Sequence, residues 1–155
     1  MLTPGDTLPP FSLPDENGKP RTLADLSGAR GLVLYVYPKD DTPGCTVEAQ
    51  DFRDHLDDIR AAGFNVVGVS KDSAQSHCSF IAKYDLTFPL LTDSDATLLT
   101  AIGAWGEKTM YGRTSLGIIR STFVADPKGK LLKVYPNVRA KGHAAKVVGE
   151  LKALS

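Results

Sequence analysis

The chain of 155 residues has only two cysteines, Cys45 and Cys78, three histidines and one tryptophan. Two cysteines are too few for the disulfide framework of a small secreted domain. A Cys-x-x-Cys pair is also absent, because Glu48 stands where its second cysteine would be, and this argues against a disulfide reductase of that kind. His55, His77 and His143 are scattered and show no metal-ligand spacing with either cysteine, so each is expected at the surface. No Gly-rich segment ending in Lys-Ser/Thr follows a strand, which removes a phosphate-binding loop. Charge of either sign is not in excess: Lys+Arg and Asp+Glu number 18 each, without a long basic stripe. Neither a nucleic acid nor an anionic membrane is therefore an expected partner. No stretch approaches the roughly 18 apolar residues that span a bilayer. The segment "MLTPGDTLPPFSLPDENGKP" has no basic region followed by an apolar one, so no secretory signal is read there. The expected location is a reducing cytoplasm, with both cysteines as free thiols, reactive or buried.

Hydrophobic residues make up 42% and charged residues 23%, enough apolar content for a core without staples. Neither an internal repeat nor a low-complexity linker interrupts the chain, and one domain over residues 1–155 is expected. "GLVLYVYP" (Gly31–Pro38) is a continuous β-rich apolar run that suits a strand buried on both faces. After it, Val47, Phe52, Leu56 and Ile59 share one helical face, with Glu48, Asp51, Asp54, Asp57 and Arg60 mostly on the other, predicting one helix that ends near Gly63. "NVVGVS" (Asn65–Ser70) reads as a second central strand, followed by a helix from Ser73 to Tyr84. "FPLLTD" predicts a short strand, and a helix runs from Ala96 to Ile102. "IIRSTFVAD" and "LLKVYPN" flank a Pro127–Gly129 turn as an antiparallel hairpin, and Ala144, Val147, Val148, Leu151 and Leu154 recur at helical spacing. This order predicts an α/β fold with a mixed central sheet flanked by helices.

The stretch "YPKDDTPGCTVEAQDF" carries the chemistry. Pro43 suits the first position of the helix and Thr42 its cap, so Cys45 falls in the first turn. There, unpaired backbone N–H groups and the positive end of the helix dipole stabilise a thiolate. The alternative is a buried cysteine acting as a small hydrophobe. The turn follows a central strand at its carboxyl end, where α/β folds place their sites. Ionisation alone has a limited effect. A thiol of pKa about 8.5 is already about 3% thiolate at pH 7, so full ionisation gains only about 30-fold. Fast chemistry at this sulfur also needs hydroxyl, N–H and guanidinium donors that stabilise charge on a leaving atom.

Pro38, Thr42 and Cys45 form the spacing Pro-x-x-x-Thr-x-x-Cys, which resembles the active-site motif of the peroxiredoxins. The longer string "YPKDDTPGCTVEAQDFRD" is similar to the bacterioferritin comigratory protein, or peroxiredoxin Q, branch, and the similarity continues through "NVVGVSKDS", "FPLLTDSD", "GAWGEK" and "IIRSTFVADPKGKL". The resemblance implies a thioredoxin-like fold with an extra amino-terminal hairpin. It implies that Cys45 is the peroxidatic nucleophile, that Thr42 binds the substrate oxygen and that Pro38 shields the pocket from bulk water. The family's arginine falls on Arg120, with Arg113 in "MYGRTS" as a rival candidate. Glu48 either orients neighbouring donors or is a solvated helix residue.

The resemblance also bears on Cys78. Many members of this branch place a resolving cysteine five residues after the peroxidatic one, but Gln50 occupies that position here. Others place it on the helix after the next strand, which matches Cys78. An intramolecular Cys45–Cys78 disulfide is thereby implied, the alternative being an inert Cys78 and a one-cysteine cycle that uses an external thiol. His77, Phe80, Ile81 and Tyr84 form the apolar stripe of that helix, and Cys78 lies at its flank. Because a disulfide needs Cα atoms roughly 4.4–6.8 Å apart, both cysteine segments are expected to unwind in each cycle. The implied partners are hydrogen peroxide, small organic hydroperoxides, and thioredoxin (or glutaredoxin or glutathione) as reductant, acting on a monomer. No metal, haem or flavin cofactor is implied. A thioredoxin-like binding or chaperone module without peroxidase chemistry is the competing expectation.

Overall fold

The computed structural model describes residues 1–110 and 112–154. Strands β1 (Ser12–Pro14) and β2 (Pro20–Thr22) form the expected amino-terminal hairpin. A single-turn helix α1 (Leu23–Leu26) leads into β3 (Gly31–Val36), all six residues of which are buried. Next come α2 (Pro43–Asp54), α3 (Leu56–Ala61), β4 (Phe64–Ser70), α4 (Ala74–Tyr84), β5 (Leu90–Thr92) and α5 (Thr97–Ala101). The chain continues through β6 (Trp105–Met110), β7 (Arg113–Ile118), β8 (Ser121–Ala125) and β9 (Leu131–Tyr135), and α6 (His143–Ala153) follows.

Five strands form the central sheet in the order β5-β4-β3-β8-β9. β3, β4 and β5 are parallel, whereas β8 runs antiparallel to β3 and β9 antiparallel to β8. β3 lies at the centre and is covered on both faces, which is why its apolar run is unbroken. Alternation along it serves two cores. Val33 and Tyr35 point into one with Phe52, Ile59, Phe80 and Leu151 of α2, α3, α4 and α6. Leu32, Leu34 and Val36 point into the other with Leu26 of α1 and Leu98 and Leu99 of α5.

Three local expectations need correction. The helix predicted to run unbroken to Gly63 is interrupted at His55, whose ring Nδ1–H donates to the Asp51 carbonyl at 2.8 Å and distorts the ladder there. Gly63 then ends α3 with φ +94°, a conformation that costs glycine nothing. The ribbon β6–β7, paired from Trp105↔Ile118 to Met110↔Arg113, was not anticipated beyond its loop. Its residues on β7 are mostly exposed, so no apolar alternation marks it; Tyr111 in its turn lies outside the described residues. The expected surface histidines are not all at the surface: His77 is fully buried, His143 is buried, and only His55 is partly open.

Candidate active site

Strand β3 ends at Val36, and the loop Tyr37–Thr42 delivers the chain to α2, where Cys45 occupies the first turn behind Pro43. The sulfur side chain is 1% exposed and packs in the core cluster that holds Tyr35, Tyr37 and Phe52. Thr42 has the extended backbone of an N-cap, but its hydroxyl makes no cap bond; it donates to the Lys39 carbonyl at 2.8 Å. The cap expectation is therefore right for the backbone and wrong for the side chain. A hydroxyl turned back on the loop consumes none of the first-turn N–H groups, and its oxygen lone pairs stay available as acceptors.

Arg120 reaches this turn from the other side of β3. It sits between β7 and β8, and the pairing Val36↔Ser121 fixes it beside the end of β3 from which the Cys45 loop emerges. Its carbonyl accepts from the Val138 N–H at 2.8 Å, which holds the backbone. The guanidinium divides its donors. Nη2 donates to Cys45 Sγ at 3.3 Å, and Nη1 donates to Glu48 Oε1 at 2.7 Å. Gly44 leaves room for this, since a Cβ there would stand 3.1 Å from Arg120 Nη2. Arg113 is exposed on β7, away from this arrangement.

Helix periodicity misplaced two neighbours. Val47, expected on the apolar face, is 39% exposed, and Glu48, expected on the polar face, is fully buried. The true inward stripe of α2 is Cys45, Glu48, Ala49 and Phe52. A carboxylate occupies it because Arg120 meets it there. Burial raises the Glu48 carboxyl to about 7, and the Arg120 charge pulls it the other way without winning. Arg120 itself is held firmly protonated by Glu48 and Cys45, against the cost of its burial.

Pro38 and Arg120 line a cavity of about 590 Å³ together with Ile119, Val138 and residues of β6. Pro38, Thr42, Cys45 and Arg120 therefore lie around one turn, as the sequence predicted. Cys78 does not join them. It is exposed on α4, and its thiol donates to the Glu16 carbonyl in the β1–β2 turn at 2.9 Å.

The comparisons with known proteins agree with this geometry. Residues 4–134 match the model of the AhpC/TSA family. A Mycobacterium tuberculosis relative that carries a peroxiredoxin name is 52% identical over 97% of this chain and 95% of its own. The chain belongs to the peroxiredoxin family, in its Bcp/PrxQ branch. Peroxiredoxin Bcp of Escherichia coli is 42% identical over 97% of this chain and 96% of its own length. Among solved structures, peroxiredoxin Q of Xanthomonas campestris superposes with TM-score 0.84 at 43% identity, covering 99% of this chain and 96% of that one. A PrxQ mutant of Xylella fastidiosa gives 0.89 at 41%, covering 99% and 98%. Another Xanthomonas structure bears in its description on the alkyl peroxide reduction activity of that organism's bacterioferritin comigratory protein. This peroxiredoxin is accordingly a thiol peroxidase with a thioredoxin-type fold. Among its described residues no helix is long and apolar enough to cross a membrane.

Two histidines and a carboxylate pair complete the surroundings. His143 is pushed down to about 4, first by burial and then by the Lys146 charge; its Nε2 lies 2.8 Å from Thr122 Oγ1. His77, Asp40 and Asp72 bring ligand-type atoms within 4.8 Å of one another, but hydrogen bonds among protein groups already engage all three side chains. No spacing in the sequence announces this cluster, because its members come from three separate segments.

Proposed function

We propose that this peroxiredoxin reduces hydrogen peroxide and small organic hydroperoxides at Cys45, that Cys78 resolves the product as an intramolecular disulfide, and that thioredoxin, or glutaredoxin in its place, restores both thiols. The observation that carries the reading is the split guanidinium of Arg120, 3.3 Å from Cys45 Sγ and 2.7 Å from Glu48. It puts a fixed positive charge at the sulfur and at the place where the leaving oxygen gains charge. The Cys45 thiolate attacks the terminal oxygen, the O–O bond breaks, and the departing alkoxide or hydroxide takes a proton to leave as alcohol or water. Cys45 is left as a sulfenic acid. Thr42, whose own proton is committed to Lys39, accepts the hydrogen bond of the hydroperoxide O–H. Pro38 covers the approach. The Cys78 thiolate then attacks the sulfenic sulfur, forming S–S and releasing water.

Exposure of Cys78 supports its resolving role and its access to a reductant. Alkyl peroxide activity of the Xanthomonas protein supports the substrate class. The large exposed hydrophobic residues, Met1, Val47, Leu116 and Leu154, come from four separate segments, which supports a monomeric single domain working in the cytoplasm. The test is intact mass after one equivalent of hydrogen peroxide, with free thiols counted in parallel. A loss of about 2 Da with both thiols gone is expected. A gain of about 16 Da on Cys45, or a disulfide-linked dimer, would remove Cys78 from the cycle.

A further inference from the structure

The sulfurs occupy separate environments. Cys45 is inside the core against Arg120, and Cys78 faces outward onto Glu16. For a bridge to form, at least one segment has to leave its place. What holds them is one buried carboxylate. Asp40, 7% exposed and in the loop that leads to Cys45, accepts from Tyr37 Oη at 2.6 Å and from Ser76 Oγ at 2.8 Å. Its Oδ2 lies 2.7 Å from His77 Nδ1. His77 Nε2 must carry a proton, because its partner at 3.0 Å is the Leu91 carbonyl, so a further proton lies between Nδ1 and Asp40.

Ser76 and His77 form the turn of α4 immediately before Cys78. The Asp40 N–H in turn donates to Asp72 Oδ2 at 2.9 Å, which also accepts from Ser70 Oγ at 2.7 Å at the end of β4. One carboxylate thus ties the approach to Cys45 to the turn that carries Cys78. A second tie on the same loop, Asp41 to Lys83 and Tyr84, is exposed. Exposed pairs contribute little, so the buried tie dominates.

We propose that Asp40 is a positioning residue of the peroxidase cycle: its buried bonds to Ser76 and His77 are the clamp whose release lets Cys78 reach oxidised Cys45. This rests on the disulfide reading given above. While the clamp is closed, the Cys45 pocket is assembled for peroxide, and a sulfenic acid there can meet only a second peroxide, which oxidises it to sulfinic acid. Once the clamp opens, the Cys78 thiolate forms the S–S bond, the sulfenic S–O bond breaks, and the hydroxide leaves as water with the proton given up by Cys78. The clamp therefore sets the ratio of over-oxidation to resolution.

The experiment compares wild type, Asp40→Asn, Ser76→Ala and Lys83→Ala. Amide hydrogen exchange on the reduced proteins is combined with the sulfinic fraction per turnover, read by mass, across a peroxide series. Asp40→Asn is expected to speed exchange over residues 39–46 and 74–78 by about ten-fold or more, with β8 and β9 unchanged, and to lower the sulfinic fraction at least about three-fold. Ser76 is half-buried and its loss spares the fold, so Ser76→Ala should move both readouts the same way by a smaller factor. Lys83→Ala should move neither. Unchanged exchange or an unchanged sulfinic fraction in both Asp40→Asn and Ser76→Ala overturns the proposal, and so does a uniform rise in exchange over the whole chain. A wild-type protein that forms no bridge overturns the disulfide reading instead, and is recognised before any variant is compared.

Discussion

Cys45 and Cys78 share a side chain and almost nothing else. The first is 1% exposed, lies in the first turn of a twelve-residue helix, and accepts from a guanidinium fixed by a buried carboxylate. The second is exposed on α4 and makes one hydrogen bond, as donor, to a carbonyl in the β1–β2 turn. The Cys45 setting favours an anion on sulfur, whereas the bond at Cys78 exists only while sulfur keeps its proton. The difference shows that thiol function here is written in the neighbours. A buried position that would be inert among apolar groups becomes reactive through one arginine, and the more accessible thiol is suited to the second step.

The strongest way to break this comparison is to remove each sulfur in turn. Cys45→Ser should reduce peroxide consumption to background. Cys78→Ser should leave the first single-turnover oxidation of Cys45 within about two-fold of wild type and stop the reaction at the sulfenic acid. Stopped-flow peroxide consumption with mass analysis of quenched samples separates the two. If both variants lose the first step equally, the assignment of separate roles fails.

Next in size is Arg120. Arg120→Met should slow the first oxidation by about 10²–10³-fold, the scale of losing one preorganised charge-stabilising donor. Arg120→Lys should recover only part of this, because an ammonium cannot offer Cys45 and Glu48 two donors in one plane. Alkylation of Cys78 in the same samples should be unaffected. Parallel loss of reactivity at both cysteines would mean that Arg120 supports the fold and not the sulfur.

These two residues show where the sequence was legible. Pro38, Thr42 and Cys45 lie within eight positions of one another, so local spacing was enough to group them. β3, β4, α4 and the β8–β9 hairpin were equally readable, because each buries a regular apolar pattern. Arg120 required the family resemblance, since only the β3–β8 register brings it to α2. Glu48 and Val47 were read on the wrong faces because periodicity assumes that a carboxylate seeks water, and a buried arginine reverses that. His77 and Asp40 were invisible for the same reason: a buried polar pair looks like surface until its partner from a distant segment is known. The β6–β7 ribbon has exposed residues over most of β7 and so left no pattern to read.

Glu48 offers a way to sharpen the comparison by pH. Its folded pKa is raised to about 7 from an ordinary 4.5, so the stability it contributes is complete below pH 4.5 and lost as pH rises through 7. That amounts to about 3 kcal/mol across the interval. His143 acts with the opposite sign in an overlapping window. Its pKa is lowered to about 4 from 6.5, so its contribution is complete above 6.5 and lost as pH falls through 4. The two slopes offset one another in wild type, and the test must therefore be a difference. Denaturant unfolding of Glu48→Gln should show a stability gain over wild type that grows between pH 5 and 8. A constant difference would mean that Glu48 does not titrate in this range.

The smallest expected effect is at Gly44, the residue before the reactive sulfur. Its Cβ, if present, would stand 3.1 Å from Arg120 Nη2 and 3.8 Å from Cζ, so the guanidinium must shift by a few tenths of an ångström to admit a methyl group. The backbone there is helical and needs no glycine, and alanine in a helix is favoured over glycine by about 0.5–1 kcal/mol. Gly44→Ala should therefore raise stability by up to that amount while slowing the first oxidation of Cys45 by about three- to ten-fold through the misplaced donor. Stability and rate moving in opposite directions would locate the need for glycine in the guanidinium and not in the turn. A variant that is both more stable and fully active would show that Arg120 tolerates displacement, and would weaken the claim that its position distinguishes the two cysteines.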